Sequence, residues 1–302
     1  MAHPSEPPLI RIDRVTTSVG AGGTRRQVLR AATLHVARGD ICGVVGASGA
    51  GKSTLLRTIN LLDVPDSGTV VVAGRDLGRL PQRDLRAARQ DIGMVFQQPN
   101  LLANLDVYAN VALPLRLHGT LNPPRLRRRV LDCLDLVGME PHAGAYPASL
   151  SAGQQQRVAI ARALASQPAI LLCDAPTSAL DAATARALFE LLRAVNADLG
   201  VTIVVASHDL PALAALCNRV VVLLAGQIRF HGTPAGLAAV AEGRVWLAAE
   251  RDPRAELAWV TGQGQVRHVG EPPTGAQLVE PTVEDGYLIL AGRDAHADRL
   301  AS

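Results

Sequence analysis

The sequence predicts an α/β fold in which helices cover both faces of a mostly parallel sheet. Three observations predict it. Short runs of Val, Ile and Leu recur along the chain, as strands buried on both faces require. Longer stretches with helical periodicity fall between them. A glycine-rich turn joins the first strongly apolar run, Ile41–Val45, to the first helical pattern.

In chain order, residues 9–36 alternate in polarity and are interrupted by Gly20, Gly22 and Gly23, which reads as an antiparallel hairpin flanking the main sheet. Residues 41–45, 70–73, 92–96, 170–173, 201–206 and 220–224 are strand candidates of the buried parallel kind. Residues 53–62, 151–166 and 182–199 carry helical patterns. Between residues 97 and 150 strand signals vanish, and Pro123, Pro124 and Gly138 punctuate helical stretches, so this segment is expected to be a helical insertion. After about residue 235 Gly, Pro and short alternating runs return. The expected organisation is a main domain over residues 6–235, with a helical subdomain at about 98–165, followed by a small α+β appendage over 236–302.

The chain of 302 residues is 48% hydrophobic and 19% charged, which excludes disorder. Thirty Lys and Arg against 27 Asp and Glu give a net charge of +3, and aromatics are only 3%, so neither charge nor stacking surface argues for nucleic acid. The one dense basic cluster, Arg125, Arg127, Arg128 and Arg129, is expected to be a solvated helix face. Cys42, Cys133, Cys173 and Cys217 lie far apart with no CxxC pair, which argues against zinc and for a reducing, cytosolic compartment. Residues 1–8 lack an apolar signal core, and the longest apolar runs, such as residues 220–225, fall far short of the ~20 residues that span a bilayer. The expectation is a soluble protein able to dock on a membrane protein.

The chemistry begins at Gly46-Ala47-Ser48-Gly49-Ala50-Gly51-Lys52-Ser53, which fits G-x-x-x-x-G-K-[ST] and is followed by Thr54. It follows a strand and opens a helix, the context that marks a phosphate-binding loop. Glycines let backbone N–H groups converge on phosphate oxygens, and the helix N-terminus adds donors and a favourable dipole. Lys52 can neutralise β/γ-phosphates, and the Ser53 hydroxyl can ligate Mg²⁺. An apolar run ending in Asp174 supplies the carboxylate such a metal needs. Ser151 with Gln154 forms a capping-box pattern at a helix start. Around these stand Gln97 after the strand at 92–96, the segment Pro176-Thr177-Ser178-Ala179-Leu180-Asp181, and His208 after another apolar strand.

Six elements in this order resemble the nucleotide-binding subunit of an ABC (ATP-binding cassette) transporter, a P-loop NTPase, over about residues 6–235. Residues 46–54 resemble its Walker A loop and 170–174 its Walker B strand. Residues 150–154 resemble its signature loop, with Ala152 where Gly is usual. Gln97 resembles the Q-loop, residues 178–181 the D-loop, and His208 the switch histidine. The resemblance implies that two subunits, as a homodimer or with another ATP-binding subunit, pack head to tail around MgATP. Ser151 and Gly153, with Gln154, would then cap the γ-phosphate across the interface beside Asp181. Gln97 would sense nucleotide and metal and relay closure to a transmembrane permease subunit, and His208 would contact the γ-phosphate and the attacking water. It also implies residence at the cytoplasmic face of the cell membrane and a substrate-binding protein as a further partner.

Within the family, residues 46–60, 92–102, 110–115 and 158–174 look like the methionine-importer branch, and the lipoprotein-release or macrolide-export branch shares much of that wording. Residues 243–246 and 279–288 resemble the tail of multidrug-exporter ATPases instead. Soluble ABC ATPases of DNA repair or translation carry a coiled-coil insertion or two cassettes, and this chain has neither.

Two departures bear on the chemistry. The family places a Glu after the Walker B Asp as general base on water, and this chain has Ala175. The implied consequence is ATP binding and closure with slow turnover, or a non-hydrolysing clamp paired with a competent partner. The family also stacks an aromatic of the N-terminal hairpin on adenine, whereas no Phe, Tyr or Trp precedes Phe96, and Val19 stands near the expected position.

Overall fold

The structure is a computed structural model that describes residues 7–20, 25–119, 121–253, 255–261 and 264–292. Gly22 and Gly23 of the expected hairpin, residue 6 of the main domain and the last ten residues of the appendage lie outside the described residues. The hairpin itself is present: β1 (Ile10–Val19) pairs antiparallel with β2 (Arg26–Val36). The central strands that follow are β3 (Ile41–Val45), β6 (Ile92–Val95), β7 (Ile170–Asp174), β8 (Thr202–Ala206) and β9 (Arg219–Leu224), with β10 (Gln227–Gly232) at one edge. Their order is β10-β9-β3-β8-β7-β6, parallel throughout except for β10.

Strand alternation explains the two-layer core. Ile41, Val45, Leu171, Cys173, Ile203 and Val205 point into one apolar layer, and Cys42, Val44, Ile170, Leu172, Val204 and Ala206 into the other. Successive residues of a strand face opposite ways, so a strand covered on both sides must be apolar at every position. All four cysteines are buried within this packing.

One strand expectation needs correction. Residues 70–73 fall in β4 (Ser67–Val72), which joins the hairpin sheet in the antiparallel order β2-β1-β4-β5, with β5 (Arg75–Asp76) at its edge. Its burial alternates, as a one-sided antiparallel strand requires, and Val71 and Thr69 are only partly covered. The run of three valines mimics a parallel strand because Val71 is apolar without being enclosed.

Five helices pack around these sheets: α1 (Lys52–Ile59), α2 (Gln82–Gln90), α5 (Ala152–Leu164), α6 (Ala182–Leu199) and α7 (Leu210–Leu216). The insertion is helical, built from α3 (Val107–His118) and α4 (Pro123–Leu136) against α5. α3 starts at Asp106, whose carboxylate accepts from Ala109 N, and α4 at Asn122, with Pro123 in the first turn. Buried Asn110 knits the loop before α3 by donating to the carbonyls of Leu102 and Leu105. The basic cluster on α4 is divided: Arg125, Arg127 and Arg128 are exposed, while Arg129 caps the C-terminus of α5 by donating to the Leu164 and Ala165 carbonyls. Lone carbonyls at a helix end attract a cation, which overrides the solvated face expected for Arg129.

The C-terminal part holds a four-stranded antiparallel sheet, order β12-β13-β11-β14, of β11 (Val245–Ala248), β12 (Leu257–Val260), β13 (Val266–Val269) and β14 (Gln277–Leu278). The expected boundary at residue 236 falls inside α8 (Pro234–Ala239), whose Leu237 is buried in the main core. The last helix, α9 (Val283–Ala291), lies against α8 and α7 and packs Val283, Tyr287 and Leu290 on that same core. Gly286 makes the approach possible, because a Cβ there would stand 1.8 Å from the Leu237 carbonyl oxygen. On its other side α9 is tied to the small sheet by a buried ion pair in which Arg267 Nη2 lies 2.6 Å from Asp285 Oδ2.

Candidate nucleotide site

The carboxyl ends of four adjacent parallel strands converge on one cleft. β3 runs into the loop 46–51, β7 ends in Asp174, β6 leads to Gln97 and β8 to His208. In open α/β sheets this edge is where ligands bind. The cleft encloses about 600 Å³, and Ser48, Gly49, Gly51, Lys52, Ser53, Thr54, Gln97, Asp174, Ala175, Ser178 and His208 all line it.

The loop is shaped by its glycines. Gly46 leaves β3 so close to β9 that a Cβ would lie 2.2 Å from the Leu223 carbonyl oxygen. Gly51, at φ 106, turns the chain into α1, and no side chain caps that helix. The first-turn N–H groups of α1 therefore face the cleft as an anion site. Lys52 Nζ donates to the carbonyls of Gly46 and Ala47, at 2.7 and 2.9 Å, so its ammonium spans the mouth of the loop. Ser53 Oγ donates to Asp174 Oδ1 at 2.8 Å, and Asp174 is 5% exposed. A hydroxyl and a carboxylate in contact beside a phosphate cradle are the oxygen donors that Mg²⁺ prefers when phosphates complete its shell.

Ala175 follows Asp174 in a left-handed conformation, φ 47, held by its N–H donating to the Ala206 carbonyl at 3.0 Å. Its small side chain lines the cleft between Asp174 and Ser178.

The remaining predicted residues stand apart from this cleft. Ser151 and Gln154 form the expected capping box at the start of α5, with Ser151 N donating to Gln154 Oε1 at 2.9 Å. Ala152 is the first residue of α5 and has ordinary helical backbone, so alanine replaces glycine there without strain. Gly153 packs against α6, where a Cβ would lie 2.5 Å from Thr184 Cγ2. Asp181 caps α6 by accepting from the Ala183 and Thr184 N–H groups and from Thr184 Oγ1; the Thr184 hydroxyl bond foremost holds its carboxyl below the usual range. None of Ser151, Gly153, Gln154 and Asp181 is among the residues that line the cleft of their own chain.

Sequence reasoning missed the outer wall and the supports. The wall that continues outward from the loop comes from Arg26, Gln27, Val28, Arg30, Ala225 and Gly226, and Val19 is not part of it. α5 grips the segment after β6. Buried Gln156 donates to the Phe96 carbonyl at 3.1 Å, and Arg162 donates to the carbonyls of Pro99 and Asn100, both at 2.7 Å. The helix that begins with Ser151 thus holds the loop that carries Gln97. Long polar residues on a helix give no signal of such work in a sequence.

A parallel sheet with a phosphate loop, a strand-end Asp in contact with the loop Ser, and a helix N-terminus opening on the cleft define a P-loop nucleotide-binding protein. The chain belongs to the ABC transporter ATP-binding cassette family. Residues 29–178 match the family described as ABC transporter. The dimeric ATP-binding cassette MJ0796, solved in a post-hydrolysis state bound to ADP and Pi, superposes with a TM-score of 0.68 at 37% identity over 74% of this chain and 98% of that one. The structure of cbiO1 from Clostridium perfringens, part of a cbiONQ transporter complex, gives 0.71 at 28% identity over 78% and 92%. The methionine import ATP-binding protein of Ralstonia nicotianae is 54% identical over 209 residues, 69% of this chain and 59% of that protein. The corresponding protein of Pasteurella multocida is 45% identical over 225 residues, 74% and 65%. The chain thus spans about three fifths of the length of these relatives. No helix among the described residues is long and apolar enough to cross a membrane.

Proposed function

We propose that this chain is the ATP-binding subunit of an ABC transporter of the methionine-importer type, converting MgATP binding into closure of a dimer and movement of a membrane permease. The observation that carries the reading is the contact of Ser53 Oγ with Asp174 beneath the Lys52-spanned loop, in one cleft with Gln97 and His208. In this reading the N–H groups of α1 and the Lys52 ammonium take the phosphate charge, and Ser53, Asp174 and Gln97 hold the metal's oxygen shell. His208 sits at the γ-phosphate end. Ser151, Gly153, Gln154 and Asp181 complete the site of a second copy, or of another ATP-binding subunit, which accounts for their distance from the cleft of their own chain. The grip of α5 on residues 96–100 then couples the dimer face to the loop that meets the permease. The location that follows is the cytoplasmic face of a membrane, with a substrate-binding protein upstream. The 45–54% identity to methionine import proteins supports the amino-acid assignment.

A second reading rests on Ala175. Without a carboxylate at that place the cleft binds MgATP and closes but hydrolyses slowly, as a clamp. A lipoprotein-release or drug-export role rests on the core wording which that branch shares with the importers and on the tail wording of residues 243–246 and 279–288. Calorimetry with MgATP, followed by co-purification with the membrane subunit and transport of radiolabelled methionine in vesicles, tests the proposal. Failure to bind MgATP, or transport of a different solute class, would overturn it.

A further inference from the structure

We infer that Arg26 is the nucleobase platform of this cleft, its guanidinium plane covering the purine face with Val28 beside it. The inference rests on the nucleotide-binding reading above. The outer end of β2 forms the cleft's outer wall: Arg26, Gln27, Val28 and Arg30 all line the cleft, where a register shift against β1 between Gln27 and Leu29 interrupts strand alternation. The inner end of this wall is fastened to the phosphate loop. Val28 Cγ1 lies 3.2 Å from where a Cβ on Gly51 would stand, Arg30 N donates to the Gly226 carbonyl at 2.8 Å, and Gly226 N donates to the Ala50 carbonyl at 3.1 Å. Arg26 lies two residues farther out, roughly 6–7 Å beyond Val28 at the rise of a strand. Phosphates held at residues 46–54 leave the ribose beside Val28 and the base beside Arg26.

Chemistry supports the placement. No Phe, Tyr or Trp lines the cleft. Of the neighbouring pair Arg25 and Arg26, the first is ion-paired to Asp66, while the guanidinium of the second makes no hydrogen bond or ion pair to a described residue. A guanidinium is planar, weakly hydrated and stacks on aromatic faces, which an ammonium does not do. Stacking reads a face and not an edge, so purines should be held alike and better than pyrimidines.

The test is calorimetry on the full chain with ATP, GTP, CTP and inorganic tripolyphosphate, for the wild type and for Arg26→Ala, Arg26→Lys and Arg26→Tyr. The expected result is ATP and GTP affinities within a few-fold of each other, both weakened about tenfold by Arg26→Ala. Tripolyphosphate should change less than twofold, Arg26→Lys should not restore purine binding, and Arg26→Tyr should. Equal losses for ATP and tripolyphosphate, full recovery in Arg26→Lys, or no loss in Arg26→Ala would each overturn the assignment. A wild-type chain that binds neither ATP nor tripolyphosphate would overturn the nucleotide reading itself, and this proposal with it.

Discussion

Replacing Ala175 by Glu tests what this cleft lacks. Residue 175 already stands at φ 47, pinned by its N–H to the Ala206 carbonyl, so the backbone strain of ~1 kcal/mol is borne by alanine and is not added by the substitution. The side chain faces open cleft beside Asp174, Ser178, Gln97 and His208, which leaves room for a carboxylate. A positioned base is worth about 10²–10⁴-fold, or roughly 3–5 kcal/mol of barrier. Steady-state phosphate release should therefore rise by a factor in that span, while MgATP affinity stays within a few-fold. Size exclusion with ATP should show a long-lived dimer for the wild type and a transient one for Ala175→Glu, as hydrolysis opens it. Brisk hydrolysis by the wild type, unchanged in Ala175→Glu, would mean that another group activates the water and would refute the reasoning.

Other outcomes follow from the packing and the charges. Lys52→Ala removes a charge-assisted donor worth about 1.5–3 kcal/mol, so MgATP affinity should fall roughly 10- to 150-fold by calorimetry with the thermal midpoint little changed. Gly286→Ala places a Cβ 1.8 Å from the Leu237 carbonyl oxygen and must push α9 from α8. Overpacking of this kind costs typically ~1–3 kcal/mol. Both tryptophans, Trp246 and Trp259, lie in the C-terminal part, so their fluorescence should report an earlier denaturation midpoint there while ATP affinity holds. Burial foremost pushes the Cys42 thiol up to about 12, so between pH 9 and 12 the unfolded chain releases a proton that the folded chain keeps. Stability should therefore be intact below pH 9 and decline above it, with a shallower decline in Cys42→Ala by urea denaturation at pH 7 and pH 10. Thiol reagents should label none of the four cysteines before unfolding.

The elements of the candidate site were legible in the sequence where their geometry is local. The loop 46–54 needs glycines at fixed offsets between a strand and a helix, and the structure has that strand, turn and helix in register. Asp174 ends an apolar run because strand ends meet the cleft, and the capping box of Ser151 and Gln154 is a three-residue pattern that folds as written. α6, expected over residues 182–199, occupies those residues, since Asp181 begins it and Gly200, at φ 65, ends it. The antiparallel hairpin of β1 and β2 and the helices α3 and α4 of the insertion also follow from local patterns.

What the sequence could not decide was which segments meet. Residues 70–73 look like a parallel strand until their neighbours leave Val71 uncovered. Arg129 looks solvated until α5 ends beside it. Val19 and Arg26 face each other across the hairpin, yet only Arg26 reaches the cleft wall, because that choice depends on which strand lies against the phosphate loop. Composition set residues 236–302 apart, but only the fold shows α9 returning to the main core through the gap at Gly286. Local chemistry is written in neighbouring residues, where turn geometry and hydrophobic period act over a few positions. Contacts between distant segments are fixed by packing, which the chain settles only once it is folded.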